Sequence, residues 1–177
     1  MDINIFFEKL FINSELADDI CRDLSITRKE CSQLVKKLEN DRKDEIQIIR
    51  RIRSLYHNKK DSEGFGFESF NRFYRWFRIQ YQNQEGKCYY CKTDEKVIAT
   101  LFEKKFQNRK RTKRGKHLEI ERRDAKDNLY NEENCVLACY FCNNDKSDIF
   151  NENEYLEYLR DRKGFLTAQF EILNDNR

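Results

Sequence analysis

Two Cys-x-x-Cys pairs, Cys88-Tyr89-Tyr90-Cys91 and Cys139-Tyr140-Phe141-Cys142, constrain this 177-residue chain more than any other feature. A pair at this spacing forms a tight knuckle, and two knuckles present the four thiolates that a tetrahedral structural zinc takes. The segment between the pairs is then closed into a loop by metal, whatever its own propensities. With four thiolates such a zinc keeps no position for water, so it holds shape and does no chemistry.

Seven cysteines, an odd number, fit reduced thiols plus a metal site better than a disulfide framework. Cys21, Cys31 and Cys135 are left over and are expected to pack as small buried hydrophobes. Hydrophobic and charged residues each make up 38% and the mean hydropathy is -0.98, which restricts the chain to a compact core under a heavily solvated surface. The 14 Phe and 9 Tyr supply buried area that the aliphatics lack. No apolar stretch reaches the roughly 18 residues of a membrane span. The start, Met1-Asp2-Ile3-Asn4, lacks the basic opening of a secretory signal. A soluble, cytoplasmic protein with no membrane partner is expected.

Charge is informative in its distribution rather than its total of +3. Lys104, Lys105, Arg109, Lys110, Arg111, Lys113, Arg114 and Lys116 form a run with no acidic residue after Glu103. A run of this kind fits either a segment that neutralises phosphates of a polynucleotide or a solvated loop.

Proline is absent, so helices end at glycines and polar clusters. Ile5, Phe6, Leu10 and Phe11, then Leu16, Ile20 and Leu24, recur at helical spacing, with Ser14 a candidate N-cap. Thr27-Arg28-Lys29-Glu30 reads as a capping box. Cys31 to Leu55 reads as one long helix or two broken near Asn40-Asp41. The segments Leu16–Ile20, Leu24–Thr27 and Leu34-Val35 resemble a helix-turn-helix, although any small helical bundle has the same periodicity. Residues 1–60 are therefore expected to form a helical region for nucleic-acid recognition or dimerisation, with the zinc-containing domain in 61–177. Asp61 to Gly66 is the boundary candidate. Beyond it Phe67, Phe70, Phe73, Tyr74, Phe77 and Tyr81 share a helical face beside Trp76, Arg72, Arg75 and Arg78; core packing is favoured over base stacking. Val97 to Phe106 reads as a short helix. His117 to Glu121 alternates in the strand period, Asn134 to Ala138 supplies a second strand, a helix is expected from Asp145 to Phe150, and another follows the cap region Asn151–Glu154.

Cys88-x-x-Cys91, Leu118-Glu119-Ile120-Glu121-Arg122, Glu133-Asn134-Cys135-Val136-Leu137-Ala138-Cys139 and Cys142-Asn143-x-x-Lys146 together resemble the HNH nuclease family. The similarity covers about Lys87 to Phe150. It implies an α+β, mainly helical chain, in which a ββα-metal module is stapled by a four-cysteine zinc and flanked by an N-terminal helical region and a C-terminal helix. The implied activity is hydrolysis of DNA phosphodiesters by an endonuclease, in a restriction, phage or mobile-element setting. The resemblance implies one structural Zn²⁺ per chain and a catalytic Mg²⁺ or Mn²⁺ on Glu121 and Asn143. Asn134 is implied as a positioning residue across the hairpin. Lys110, Arg111, Lys113, Arg114 and Lys146 are the expected phosphate contacts, with double-stranded DNA as partner and a homodimer where two strands are cut.

The family's general-base histidine falls here on Arg122, which stays protonated and cannot be a base. Either His117 takes that role, on the inferred face of Glu119 and Glu121, with Arg122 on phosphate, or the site is a non-catalytic DNA-binding module. Glu119 fits a metal ligand, a partner to His117 or a surface carboxylate. RNA is a further candidate substrate, since the basic run does not choose between nucleic acids.

Overall fold

A computed structural model describes residues 2–106, 114–160 and 164–175. Its element order is α1 (Ile3–Phe7) continued by a π-helical turn Glu8–Ile12, α2 (Ala17–Asp23), α3 (Arg28–Asp41), α4 (Lys43–Lys59), α5 (Phe70–Asn83), α6 (Glu95–Lys104), β1 (Glu119–Arg122), β2 (Cys135–Ala138), α7 (Tyr140–Lys146), α8 (Glu152–Tyr158) and α9 (Phe165–Asp175). Among the described residues helices thus dominate, with one small antiparallel hairpin. No helix among the described residues is long and apolar enough to cross a membrane.

The chain divides into two compact units. The first comprises Met1–Asp61 and Phe67–Arg75, the second Ser62–Gly66 and Trp76–Arg177. The division therefore falls within α5, between Arg75 and Trp76.

In the first unit Phe6, Phe7, Ile20, Leu38, Ile46, Ile49 and Ile52 are buried together with Phe70 and Phe73. The capping box forms as the sequence predicts: the Glu30 N–H donates to Thr27 Oγ1 (3.3 Å), and the Thr27 N–H donates to Glu30 Oε2 (2.8 Å). The helices α3 and α4 break at Arg42, next to the expected Asn40-Asp41. Two expectations are corrected. Ser14 does not cap α2: it lies in a left-handed turn (φ 62°), its hydroxyl accepts from Arg53, and Leu16 is the N-cap. Cys21 and Cys31 are not separate thiols but a disulfide linking α2 to α3, because packing brings their Cα atoms to 6.1 Å, within the reach of a disulfide. Both remain buried, as expected of them.

The aromatic face of the 70–81 helix is core, with Phe73, Tyr74, Trp76 and Phe77 buried and Arg72, Arg75 and Arg78 turned away from it. The glycine-containing boundary segment does not hang free. The Gly66 N–H donates to the Tyr130 carbonyl and the Tyr130 N–H to the Gly64 carbonyl, both at 2.9 Å, so the segment pairs with the hairpin loop. Gly64 (φ +77°) is required there, since a Cβ would fall 2.0 Å from the Asn128 carbonyl oxygen.

The hairpin pairs Glu119 with Ala138, Ile120 with Leu137, Glu121 with Val136 and Arg122 with Cys135. The first strand begins at Glu119, so His117 precedes the ladder instead of opening it. The outer edge of β2 is covered by Gln84 at the end of α5, whose amide donates to the Leu137 carbonyl (2.8 Å) and accepts from the Leu137 N–H (3.0 Å). That contact supplies the partners a third strand would have supplied. The helix expected from Asp145 instead spans Tyr140–Lys146, because Cys139 caps it: Cys139 Sγ accepts the Cys142 N–H (3.5 Å). Asn143 and Lys146 consequently stand one turn apart on one helix. Helix α8 starts on a second capping box, Asn151 with Glu154.

Candidate metal centre and hairpin site

The two knuckles meet. The Sγ atoms of Cys88, Cys91, Cys139 and Cys142 lie within 4.8 Å of one another, with Cys91 and Cys139 at 3.9 Å. Around a zinc with Zn–S bonds of about 2.3 Å, tetrahedral thiolates stand about 3.8 Å apart. Four cysteine side chains are thus placed to hold one zinc ion. The first knuckle turns on Lys92 in the left-handed region (φ 59°) and is closed by the Lys92 N–H on the Cys88 carbonyl (3.0 Å). Backbone donors support the sulfurs, the Cys139 N–H reaching Cys88 Sγ at 3.2 Å. The thiols share protons among themselves: hydrogen bonding from Cys139, and then from Cys142 and Cys88, pulls Cys91 down, while hydrogen bonding within the same cluster pushes Cys139 up. Cys135 is buried in the strand opposite Arg122 and is no part of the cluster.

Helix α7 follows directly from the second knuckle and lies against β1. Strand alternation turns Glu119 and Glu121 to one side, and each meets one of the two residues a turn apart on α7. Asn143 Nδ2 donates to Glu119 Oε2 at 2.7 Å. Lys146 Nζ stands 3.3 Å from Glu121 Oε1. The second of these rungs is closed to water, the Lys146 side chain being 0% and that of Glu121 10% exposed. Burial raises the Glu121 carboxyl to about 7 despite the opposing pull of Lys146. Lys146, expected at a phosphate, stands buried beside Glu121. Glu121 and Asn143, expected on one divalent ion, take different partners, and it is Glu119 that meets Asn143.

Glu119 is also clamped by Arg114, whose Nε and Nη2 donate to its two oxygens at 3.0 Å each, while the guanidinium lies 5.2 Å from the Tyr140 ring centroid. Lys110, Arg111 and Lys113 lie outside the described residues. Arg122 is bonded to Asn128 and Asp148 and rests over the Tyr130 ring at 4.8 Å. It braces the hairpin loop against the chain after α7.

Asn134 organises that loop with its whole side chain. Oδ1 accepts the Asp124 N–H (2.8 Å), and Nδ2 donates to the carbonyls of Asp124 (2.8 Å) and Leu129 (2.9 Å).

His117 is half exposed, and its Nδ1 lies 3.4 Å from Glu95 Oε1. Glu95 is buried, accepting the Leu118 N–H at 2.8 Å and the Tyr81 hydroxyl at 2.8 Å. The carboxylate beside the histidine is thus neither Glu119 nor Glu121. Sequence reasoning missed Glu95, and its only local signal, an acid at the first position of a helix after the Asp94 cap, has an ordinary helical explanation.

The fold and site define a four-cysteine zinc-type cluster stapling a short β-hairpin and the helix that follows it. The chain matches no known protein family, no curated protein and no solved structure.

Proposed function

We propose that the protein is a metal-dependent endonuclease of the HNH type that hydrolyses phosphodiester bonds in DNA. The observation that carries this reading is Glu119 beside Asn143, a carboxylate and an amide brought together between β1 and the first turns of a zinc-stapled helix. Asn143 presents its Nδ2 to Glu119 here; with the amide turned over, its Oδ1 and the Glu119 carboxylate would be the hard oxygen donors that Mg²⁺ or Mn²⁺ takes. A bound divalent ion supplies Lewis acidity for a phosphoryl oxygen and the leaving oxygen.

The chain's own groups do the rest. Arg114, bidentate on Glu119, balances that carboxylate's charge, and would be the guanidinium nearest a phosphate if a cation were held by Glu119. Lys146 and Glu121 hold α7 at a constant distance from β1. His117 is assigned the general base, with Glu95 on its Nδ1 side fixing the ring and leaving Nε2 towards water. Arg122 has no part in proton transfer.

Incubating the zinc-loaded protein with supercoiled plasmid and Mg²⁺ or Mn²⁺ tests the reading. Nicking is expected, with its loss in His117→Ala and in Glu119→Ala while zinc content and DNA binding persist. Plasmid that stays intact with every divalent ion and across pH defeats it. A second reading is favoured by one observation, the withdrawal of Glu121 from solvent against Lys146: a zinc-stapled DNA-binding module without catalysis. It requires binding that survives removal of Mg²⁺ and is indifferent to Glu119→Ala.

A further inference from the structure

The first unit holds a feature that the hairpin chemistry leaves unused. Helix α2 ends in a Schellman turn: the Ile26 N–H donates to the Cys21 carbonyl (3.0 Å), the Ser25 N–H to the Arg22 carbonyl (3.2 Å), and Ser25 is left-handed (φ 54°). Thr27 then opens α3 with its capping box, so four residues separate the two helices. Ile20, Cys21, Cys31 and Leu38 turn inward and are buried, and the Cys21–Cys31 disulfide pins the first helix to the second. Arg28, Lys29, Ser32, Gln33, Lys36 and Lys37 are exposed on α3, as are Glu30 and, in its last turn, Glu39, Asn40 and Asp41.

These residues sort by chemistry and position. Ser32 and Gln33, in the first half of α3, carry short side chains that both donate and accept, the kind that reads base edges. Lys29, Lys36 and Lys37 add positive charge along the same helix, and Arg28 reaches across to Asp18 (3.2 Å) at the surface. Of the exposed acids on α3, Glu30 is engaged in the cap, and Glu39, seven residues after Ser32 and on the same side of the helix, pairs with Arg50 of α4 (3.5 Å). A helix that is capped, braced from behind by a second helix, and that presents Ser32 and Gln33 between Lys29 and the Lys36-Lys37 pair has the shape and the donors and acceptors that a major groove takes.

We infer that α2 and α3 form a helix-turn-helix that reads duplex DNA, with α3 in the major groove, Ser32 and Gln33 at base edges and Lys36 and Lys37 at phosphates. The protein then carries a sequence-reading element separate from its zinc-stapled hairpin.

The test uses the full zinc-loaded chain and a randomised duplex library, with bound DNA recovered, amplified and sequenced over successive rounds. Convergence on a short motif is expected. Gln33→Ala should relax preference at one position of that motif by about 5- to 100-fold, the range of one good base contact. Lys36→Ala/Lys37→Ala should weaken binding to every sequence and lower the salt dependence by about two phosphate contacts. Circular dichroism checks that these exposed substitutions leave the fold intact. No convergence overturns the inference, as does an unchanged motif in the Gln33 and Ser32 variants, or tighter binding to structured RNA than to the selected duplex. A recovered motif with no nicking by any divalent ion leaves this inference standing and removes the nuclease reading. Nicking without a motif does the reverse.

Discussion

Lys146 Nζ lies 3.3 Å from Glu121 Oε1 with both side chains withdrawn from solvent, and this buried ion pair joins α7 to β1. Desolvating two charges costs several kcal/mol per ion, so the pair holds position more than it adds net stability. Removing either partner should be severe and removing both mild. Lys146→Met alone and Glu121→Leu alone should each cost about 3–5 kcal/mol, while the double variant should lie within about 2 kcal/mol of the parent. Urea unfolding of the zinc-loaded proteins measures all four corners of the cycle, and additive losses would refute the pairing.

The same pair gives a pH dependence of known sign. Burial raises the folded carboxyl of Glu121 to about 7 from an ordinary 4.5, so the folded chain binds this proton more tightly than the unfolded chain. Its contribution is fully present below about 4.5 and is lost as pH rises through about 7, by at most about 3 kcal/mol. Zinc release by protonated cysteines runs in the opposite direction at low pH. The Glu121→Leu/Lys146→Met double variant keeps the cysteines and so serves as the reference. Its stability relative to the parent should rise between about pH 5 and pH 8, and a flat difference would show that Glu121 titrates as an exposed carboxylate.

One zinc per chain is expected by elemental analysis, and its removal should unfold the hairpin and α7 together. Cys139→Ala should be the most damaging of the cysteine substitutions, since it removes a ligand and also the side-chain cap of α7. Cys135→Ser, also buried, should retain a full equivalent of zinc. Equal zinc loss in the two variants would mean that the ion is not held by the two knuckles.

Asn134→Ala should loosen the hairpin loop, because three side-chain hydrogen bonds disappear at once. A loss of about 2–3 kcal/mol is expected, with faster hydrogen exchange at Asp124, whose amide is left without its acceptor. Asn134→Asp keeps that acceptor but loses both donors, so it should protect Asp124 better than Ala does. Identical exchange in the two variants would exclude the loop-bracing role.

What is legible in the chain is local. The thiolate cluster follows from knuckle spacing, the Thr27–Glu30 and Asn151–Glu154 caps from side chains that reach only three residues, and the aromatic core face of α5 from its period. The start of α7 is misread because Cys139 caps a helix with a sulfur, and a cysteine in a knuckle does not read as an N-cap. The Cys21–Cys31 bond is missed because a ten-residue separation says nothing until two helices pack.

Knuckle spacing and strand period are enough to bring four cysteines together, to set a hairpin and a helix around them, and to place Glu119 and Glu121 on one side of a strand. Whom those residues meet follows from packing: Glu119 meets Asn143 and Arg114, Glu121 meets Lys146, and His117 meets Glu95. Periodicity specifies the direction in which a side chain points, since it is a property of the backbone. Partners arrive from elements distant in the chain, and their identity is set by how those elements pack.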